Sequence, residues 1–118
     1  MKGQRPITTI KMFSAQSIAA SESATSVVVD LREIAQEGYF SVYATVAGSG
    51  ALKLEYLVAP GKDGAFIEPA AASDIATGLT AGNAAASFSP VLSPFMKMKA
   101  PETGGAQGVV LSLWLNAQ

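Results

Sequence analysis

The sequence predicts an all-β protein, an antiparallel β-sandwich or jelly roll of about seven or eight strands. Two observations carry this reading. Apolar and polar residues alternate with a period of two, most plainly over residues 40–46 and 109–115. Turn-forming clusters, among them Gly48-Ser49-Gly50, Gly61-Lys62-Asp63-Gly64 and the stretch 101–108, interrupt that alternation at short intervals. At 118 residues the chain is long enough to bury roughly two-thirds of its unfolded surface around one core. It reads as a single β domain over residues 1–118, with residues 1–25 as an extended N-terminal arm.

Taken in order, residues 7–13 form a first strand, opened by Pro6, with Ile10 and Met12 on one side and Lys11 on the other. The serine- and alanine-rich stretch 14–26 reads as loop. Over 26–31 a strand is expected with Val27, Val29 and Leu31 on one face, favoured by three consecutive valines whose branched side chains fit the pleat. Residues 32–36 have room for one helical turn, ended by Gly38. The clearest strand follows, with Phe40, Val42, Ala44 and Val46 opposed to Tyr39, Ser41, Tyr43 and Thr45.

Gly48-Ser49-Gly50 is expected to turn that strand into a hairpin, whose return strand buries Leu52, Leu54, Tyr56 and Val58 and leaves Lys53 and Glu55 outward. A short strand over 65–68, stopped by Pro69, would complete a three-stranded meander. In the alanine-rich stretch 70–86 neither period is distinct, and Asp74 is placed to cap a helical turn through Ala76. A strand over 87–92 is broken by Pro90, and residues 95–99 alternate cleanly. The last strand sets Val109, Leu111, Leu113 and Leu115 against Val110, Ser112 and Trp114, and is apolar enough to be central.

Composition excludes more than it identifies. There is no histidine and no cysteine, and only 14% of residues are charged, so the common acid-base, nucleophilic and metal-binding groups are scarce. Eight basic and nine acidic residues give a net charge of −1 without a charge run, which argues against nucleic-acid and anionic-membrane partners. A mean hydropathy of +0.31 is high for a small monomer and fits equally apolar surface covered by a partner or a score raised by small alanine and glycine residues. A signal peptide is not expected, because Thr8, Thr9, Lys11, Ser14 and Gln16 interrupt any apolar core behind Lys2 and Arg5. No apolar run approaches the roughly 20 residues of a membrane span.

The remaining candidates for chemistry have plainer explanations. Asp30 and Glu33 flank Arg32 and read as solvated charges or an ion pair. Glu55 and Glu68 read as the polar face of adjoining strands rather than a glycosidase pair. Asp63 is the acid of an Asp-Gly turn, without the other oxygen ligands that calcium needs. Gly48-Ser49-Gly50-Ala51-Leu52-Lys53 lacks the ending and the helix of a phosphate loop. No catalytic residue, metal or cofactor is expected. Tyr39, Tyr43 and Trp114 stand apart: aromatic rings on the more polar faces of their strands suit a sugar ring, packing between sheets or contact with a neighbouring subunit or partner protein.

With these features in order, the chain resembles small bacteriophage virion proteins of β-sandwich fold. The resemblance rests on the Ser- and Ala-rich lead into Val27-Val28-Val29-Asp30-Leu31-Arg32, the strand over 39–46, and residues 52–56 leading to the Asp63-Gly64 turn and Phe66. It covers about the first half of the chain. It implies a non-enzymatic virion structural protein, foremost an oligomeric capsid decoration (cement) protein on the head lattice, found in the virion after synthesis in the host cytoplasm. Its partner would be the major capsid protein or another virion protein, and a homotrimer at a local threefold would suit the lattice. The alternative is a tail or fibre-associated module that binds host surface glycan through Tyr39, Tyr43 and Trp114.

Overall fold

The computed structural model describes residues 6–70 and 72–118, and these hold nine strands and no helix. In chain order they are β1 (Thr8–Ile18), β2 (Ser23–Thr25), β3 (Val29–Asp30), β4 (Phe40–Gly48), β5 (Leu52–Ala59), β6 (Ala76–Leu79), β7 (Gly82–Phe88), β8 (Phe95–Pro101) and β9 (Val109–Ala117). They form two antiparallel sheets, one in the order β1-β9-β4-β7 and the other β2-β8-β5-β6, with β3 also paired to β8. Taking β2 and β3 as one interrupted strand, every connection except β5 to β6 carries the chain from one sheet to the other. That is the two-sheet, eight-stranded order of a jelly roll.

The core lies between the sheets. Leu111, Leu113 and Leu115 of β9 face Leu52 and Leu54 of β5 and Met96 and Met98 of β8, all fully buried in one cluster. The alternation read over 40–46 and 109–115 holds, that over 52–58 and 95–99 is interrupted at Glu55 and Phe95, which are buried as well, and β9 is central, flanked by β1 and β4.

Several sequence expectations are corrected. Gly48-Ser49-Gly50 does not make a hairpin: β4 and β5 belong to different sheets, and the turn arches across the sandwich so that both apolar faces meet in the core. Gly48 takes a φ of 103°, and a Cβ there would stand 2.9 Å from the carbonyl oxygen of Gly108. At Gly50 a Cβ would run into the Gln107 carbonyl. The arch needs glycine because it leans on the 107–108 backbone.

The stretch 14–26 is not loop. β1 runs on to Ile18, passing two irregularities against β9, one between Lys11 and Phe13 and one between Phe13 and Gln16. Ala15, at φ 49°, donates its N–H to the Ser112 hydroxyl at 3.0 Å. Residues 8–18 and 23–25 are therefore sheet rather than extended arm, and residues 1–5 of that arm lie outside the described residues.

The strand expected over 26–31 is broken. Thr25 opposes Lys99 and Val29 opposes Met96, so residues 26–28 stand against only 97–98, a β-bulge. Buried Ser26 holds it: its N–H bonds the Met98 carbonyl at 2.9 Å, and its hydroxyl accepts from the Met98 N–H at 2.8 Å where a ladder carbonyl would stand. The extra residue turns Val27 out, leaving it 66% exposed while Val29 and Leu31 stay buried.

The stretches 65–68 and 70–86 also differ. Ile67 makes only an isolated bridge to Val58, so there is no meander. Asp74 caps no helix; Ile75 donates to the Leu54 carbonyl at 2.8 Å, and β6 and β7 follow in opposite sheets. Alanine and glycine are too small to display a period, and β7 is strand because seven of its residues pair with β4. The strand expected over 87–92 ends at Phe88, and residues 32–35 form the single turn expected, with Ala35 donating to the Leu31 carbonyl at 3.2 Å.

Candidate functional site

The outer face of the β1-β9-β4-β7 sheet is built in cross-strand rows. Lys11, Trp114, Tyr43 and Ala85 stand side by side on β1, β9, β4 and β7. Tyr43 and Trp114 meet edge to face with ring centroids 5.9 Å apart, and the Lys11 ammonium sits 5.0 Å from the Trp114 ring. Next to this row lie Thr9, Asn116, Ser41 and Ser87, in which Thr9 donates to Asn116 Oδ1 at 2.7 Å and Asn116 Nδ2 to Ser41 Oγ at 3.3 Å. On the far side Thr45 donates to Asn83 Oδ1 at 3.0 Å. The face is thus a bonded polar field crossed by one aromatic row with a single cation.

Tyr43 and Trp114, two of the three aromatics singled out from sequence, are therefore brought together. Tyr43 is 41% exposed and Trp114 half-buried between Tyr43 and Lys11. Tyr39, 67% exposed, stands beyond the start of β4 and makes no ring contact with either. It lines a shallow depression of about 240 Å³ with Ile7, Ser41, Ser87 and Asn116. Strand alternation places Tyr39, Ser41 and Tyr43 on one side, which gives the face an aromatic at its end as well as its middle.

The outer face of the other sheet is charged. Lys53 bonds Glu55 at 2.9 Å and approaches Asp74 at 4.0 Å. Glu55 is 7% exposed rather than solvated as its alternation suggested, because Lys53 and the passing segment around Glu68 and Asp74 cover it. One carboxylate oxygen each from Glu55, Glu68 and Asp74 lies within 4.8 Å of the others. Lys53 already supplies the cation, and its ammonium is held above its usual pKa by the hydrogen bond and charge of Glu55 and by Asp74. Asp30 is an ion pair as expected, bound through both oxygens to Arg32 at 3.0 and 2.7 Å and brought down to a pKa of about 2 by that pairing.

Sequence reasoning missed Glu102. This buried carboxylate accepts four backbone N–H groups: Ser21 and Gly105 on one oxygen, both at 2.9 Å, and Ala51 at 3.0 Å and Gly104 at 2.7 Å on the other. The bonds from Ala51, Ser21 and Gly105 dominate, and with Gly104 they hold its pKa at about 2 against the burial that would raise it. Three crossovers, after β1, after β4 and after β8, are tied to one side chain. The signal was a glutamate followed by Thr103-Gly104-Gly105, a run whose backbone donors are free to turn toward an anion.

No protein-family model matches this sequence, and no curated protein does. Among solved structures, one described as the structure of infectious bursal disease virus Gx strain is similar at a TM-score of 0.46 and 18% identity, the match covering 95% of this chain and 32% of that chain. This chain spans about a third of the length of the solved chain it matches.

Proposed function

We propose that this chain is a non-enzymatic structural protein of a bacteriophage virion, an oligomeric capsid decoration (cement) protein that docks on the head lattice through the outer face of the β1-β9-β4-β7 sheet. The observation that carries the reading is that face itself, a polar field crossed by the Lys11–Trp114–Tyr43 row. Tyrosine and tryptophan supply large contact area at small entropic cost, and a pre-bonded polar surround needs little reordering on docking. Many weak copies of such a contact add up on a repeating shell.

The buried charges support a structural role. Glu102 is spent on backbone donors and Glu55 on an ion pair with Lys53, so both carboxylates hold the fold together. The partner is the major capsid protein or another virion protein. Co-sedimentation with undecorated capsids tests the reading: the wild-type chain pellets with the shells, and absence of binding rejects it.

The second reading is a tail or fibre module that binds host glycan. Jelly rolls serve in capsids and in lectins, so the fold admits both. The observation in its favour is the exposed Tyr43 ring beside Trp114, a stacking platform for a pyranose. A glycan array positive for the wild type and negative for Trp114→Ala would support it over the first.

A further inference from the structure

The two sheets have four edges, and three of them are guarded against pairing with another chain. β1 carries two register irregularities and the charge of Lys11. β2 and β3 are three and two residues long and are split by the Ser26 bulge. β6 is four residues long, with an irregular register and Gly78 at φ 65°. Short strands, bulges and lysines are the usual devices that stop edge-to-edge association.

β7 is longer and unbroken, and its one glycine of positive φ, Gly82 at 126°, stands at its first residue. Its seven residues, Gly82-Asn83-Ala84-Ala85-Ala86-Ser87-Phe88, pair with β4 in unbroken register and contain no charge, no proline and no bulge. On the side away from β4 no backbone hydrogen bond from them to any turn or loop is present among the described residues. A row of backbone donors and acceptors is left at a regular spacing, which a further strand would satisfy.

We propose that β7 is a self-association edge, on which a second copy of this chain adds its own β7 antiparallel to the first. The occupant follows from the sequence of the strand. In a two-fold contact residue i meets residue j and j meets i, and the residue on the axis meets its own copy, so a charge at or beside the axis would oppose a like charge; β7, alone among the longer edges, carries no charge. Centring the pair on Ala85 overlaps all seven residues. Gly82 then faces Phe88, Ala84 faces Ala86, and Asn83 faces Ser87, with a large side chain against a small one or small against small throughout.

The result is one continuous eight-stranded sheet. Ala85 lies in the row of Lys11, Trp114 and Tyr43, so the two copies present a double aromatic row on one face, separated by paired alanines. This contact is two-fold, in place of the threefold that the sequence suggested. It rests on the sheet edges alone and is independent of the virion reading, since association in dilute solution involves no shell.

Light scattering on the full chain tests it. The wild type is expected at twice the 12.1 kDa chain mass. Ala85→Lys and Ala85→Glu, each at an exposed position, should each run at one chain mass with unchanged circular dichroism. Mixed in equal amounts they should return to two, because lysine then faces glutamate. A monomeric or trimeric wild type, a dimer indifferent to both substitutions, or failure of the mixture to recover the dimer would each overturn the proposal.

Discussion

Trp114 is held between two strands that are far apart in sequence, with Tyr43 at 5.9 Å on one side and the Lys11 ammonium at 5.0 Å on the other. The tryptophan is the only one in the chain, and its indole reports on the face proposed for contact. Docking on a capsid should shift its emission to the blue as water leaves the ring, and Tyr43→Ala should weaken that binding while lowering stability by only about 0.5–1.5 kcal/mol, the worth of an aromatic pair. An emission spectrum unchanged on saturated shells would place the contact on another face.

Glu102 sets the acid sensitivity. Its folded pKa of about 2 lies below the ordinary 4.5, so its contribution is complete above that ordinary value and is lost as pH falls from there toward 2. Asp30, lowered by Arg32 in the same direction, adds little because the pair is exposed. Urea melts between pH 5 and pH 2 should show a declining midpoint for the wild type and a flatter one for Glu102→Gln. That variant should already be less stable at neutral pH, since an amide oxygen and a donor nitrogen replace two acceptors for four N–H groups.

The bulge makes an unusual pair of expectations at hydrophobic positions. Leu113→Ala should cost about 2–5 kcal/mol, as for a fully buried leucine. Val27→Ala should change stability by less than about 0.5 kcal/mol, although its alternation with Val29 and Leu31 marks it as core. A large loss at Val27 in chemical denaturation would mean that the register across 25–29 is continuous.

Ser26→Ala removes the acceptor for a buried N–H. The Met98 amide would then stand unpaired, at a cost of about 1–3 kcal/mol. Amide exchange at Met98 should be slow in the wild type and should accelerate in the variant more than at its neighbours in β8.

Gly50→Ala tests the arch. A methyl group there collides with the Gln107 carbonyl, so β4 and β5 could join across the sandwich only with backbone movement. A fall in melting temperature of roughly 5 °C or more is expected, the equivalent of about 1 kcal/mol in a domain of this size. A neutral result would fit a free hairpin instead.

How much was legible follows from which forces leave a trace in sequence. Burial on one face of a strand writes a period of two, so β4, β5, β8 and β9 could be read directly, and Trp114 and Tyr43 were placed on the correct outward sides. Connectivity leaves a weaker trace. Gly48-Ser49-Gly50 announces a turn, but the same residues serve a hairpin and an arch, and the choice depends on the 107–108 backbone more than fifty positions away.

Polar burial was hidden for the same reason. Glu55 alternates like a solvated residue, and it is interior because Lys53, Glu68 and Asp74 gather over it. Ser26 looked like the opening of a valine strand, whereas its hydroxyl breaks that strand by imitating the backbone. β7, too small in its side chains to show any pattern, is defined by what β4 requires beside it.

The position of β9 between β1 and β4 has a consequence for how the molecule is made. On a ribosome, β1 and β4 emerge before residues 109–117 exist, and neither can pair with the other in the finished arrangement. Each must wait as an unsatisfied edge with an apolar side until the middle strand arrives. Nascent chains stalled ahead of Val109 would thus be captured by holdase chaperones, and release of the last nine strand residues would convert them in a single step to the closed sandwich.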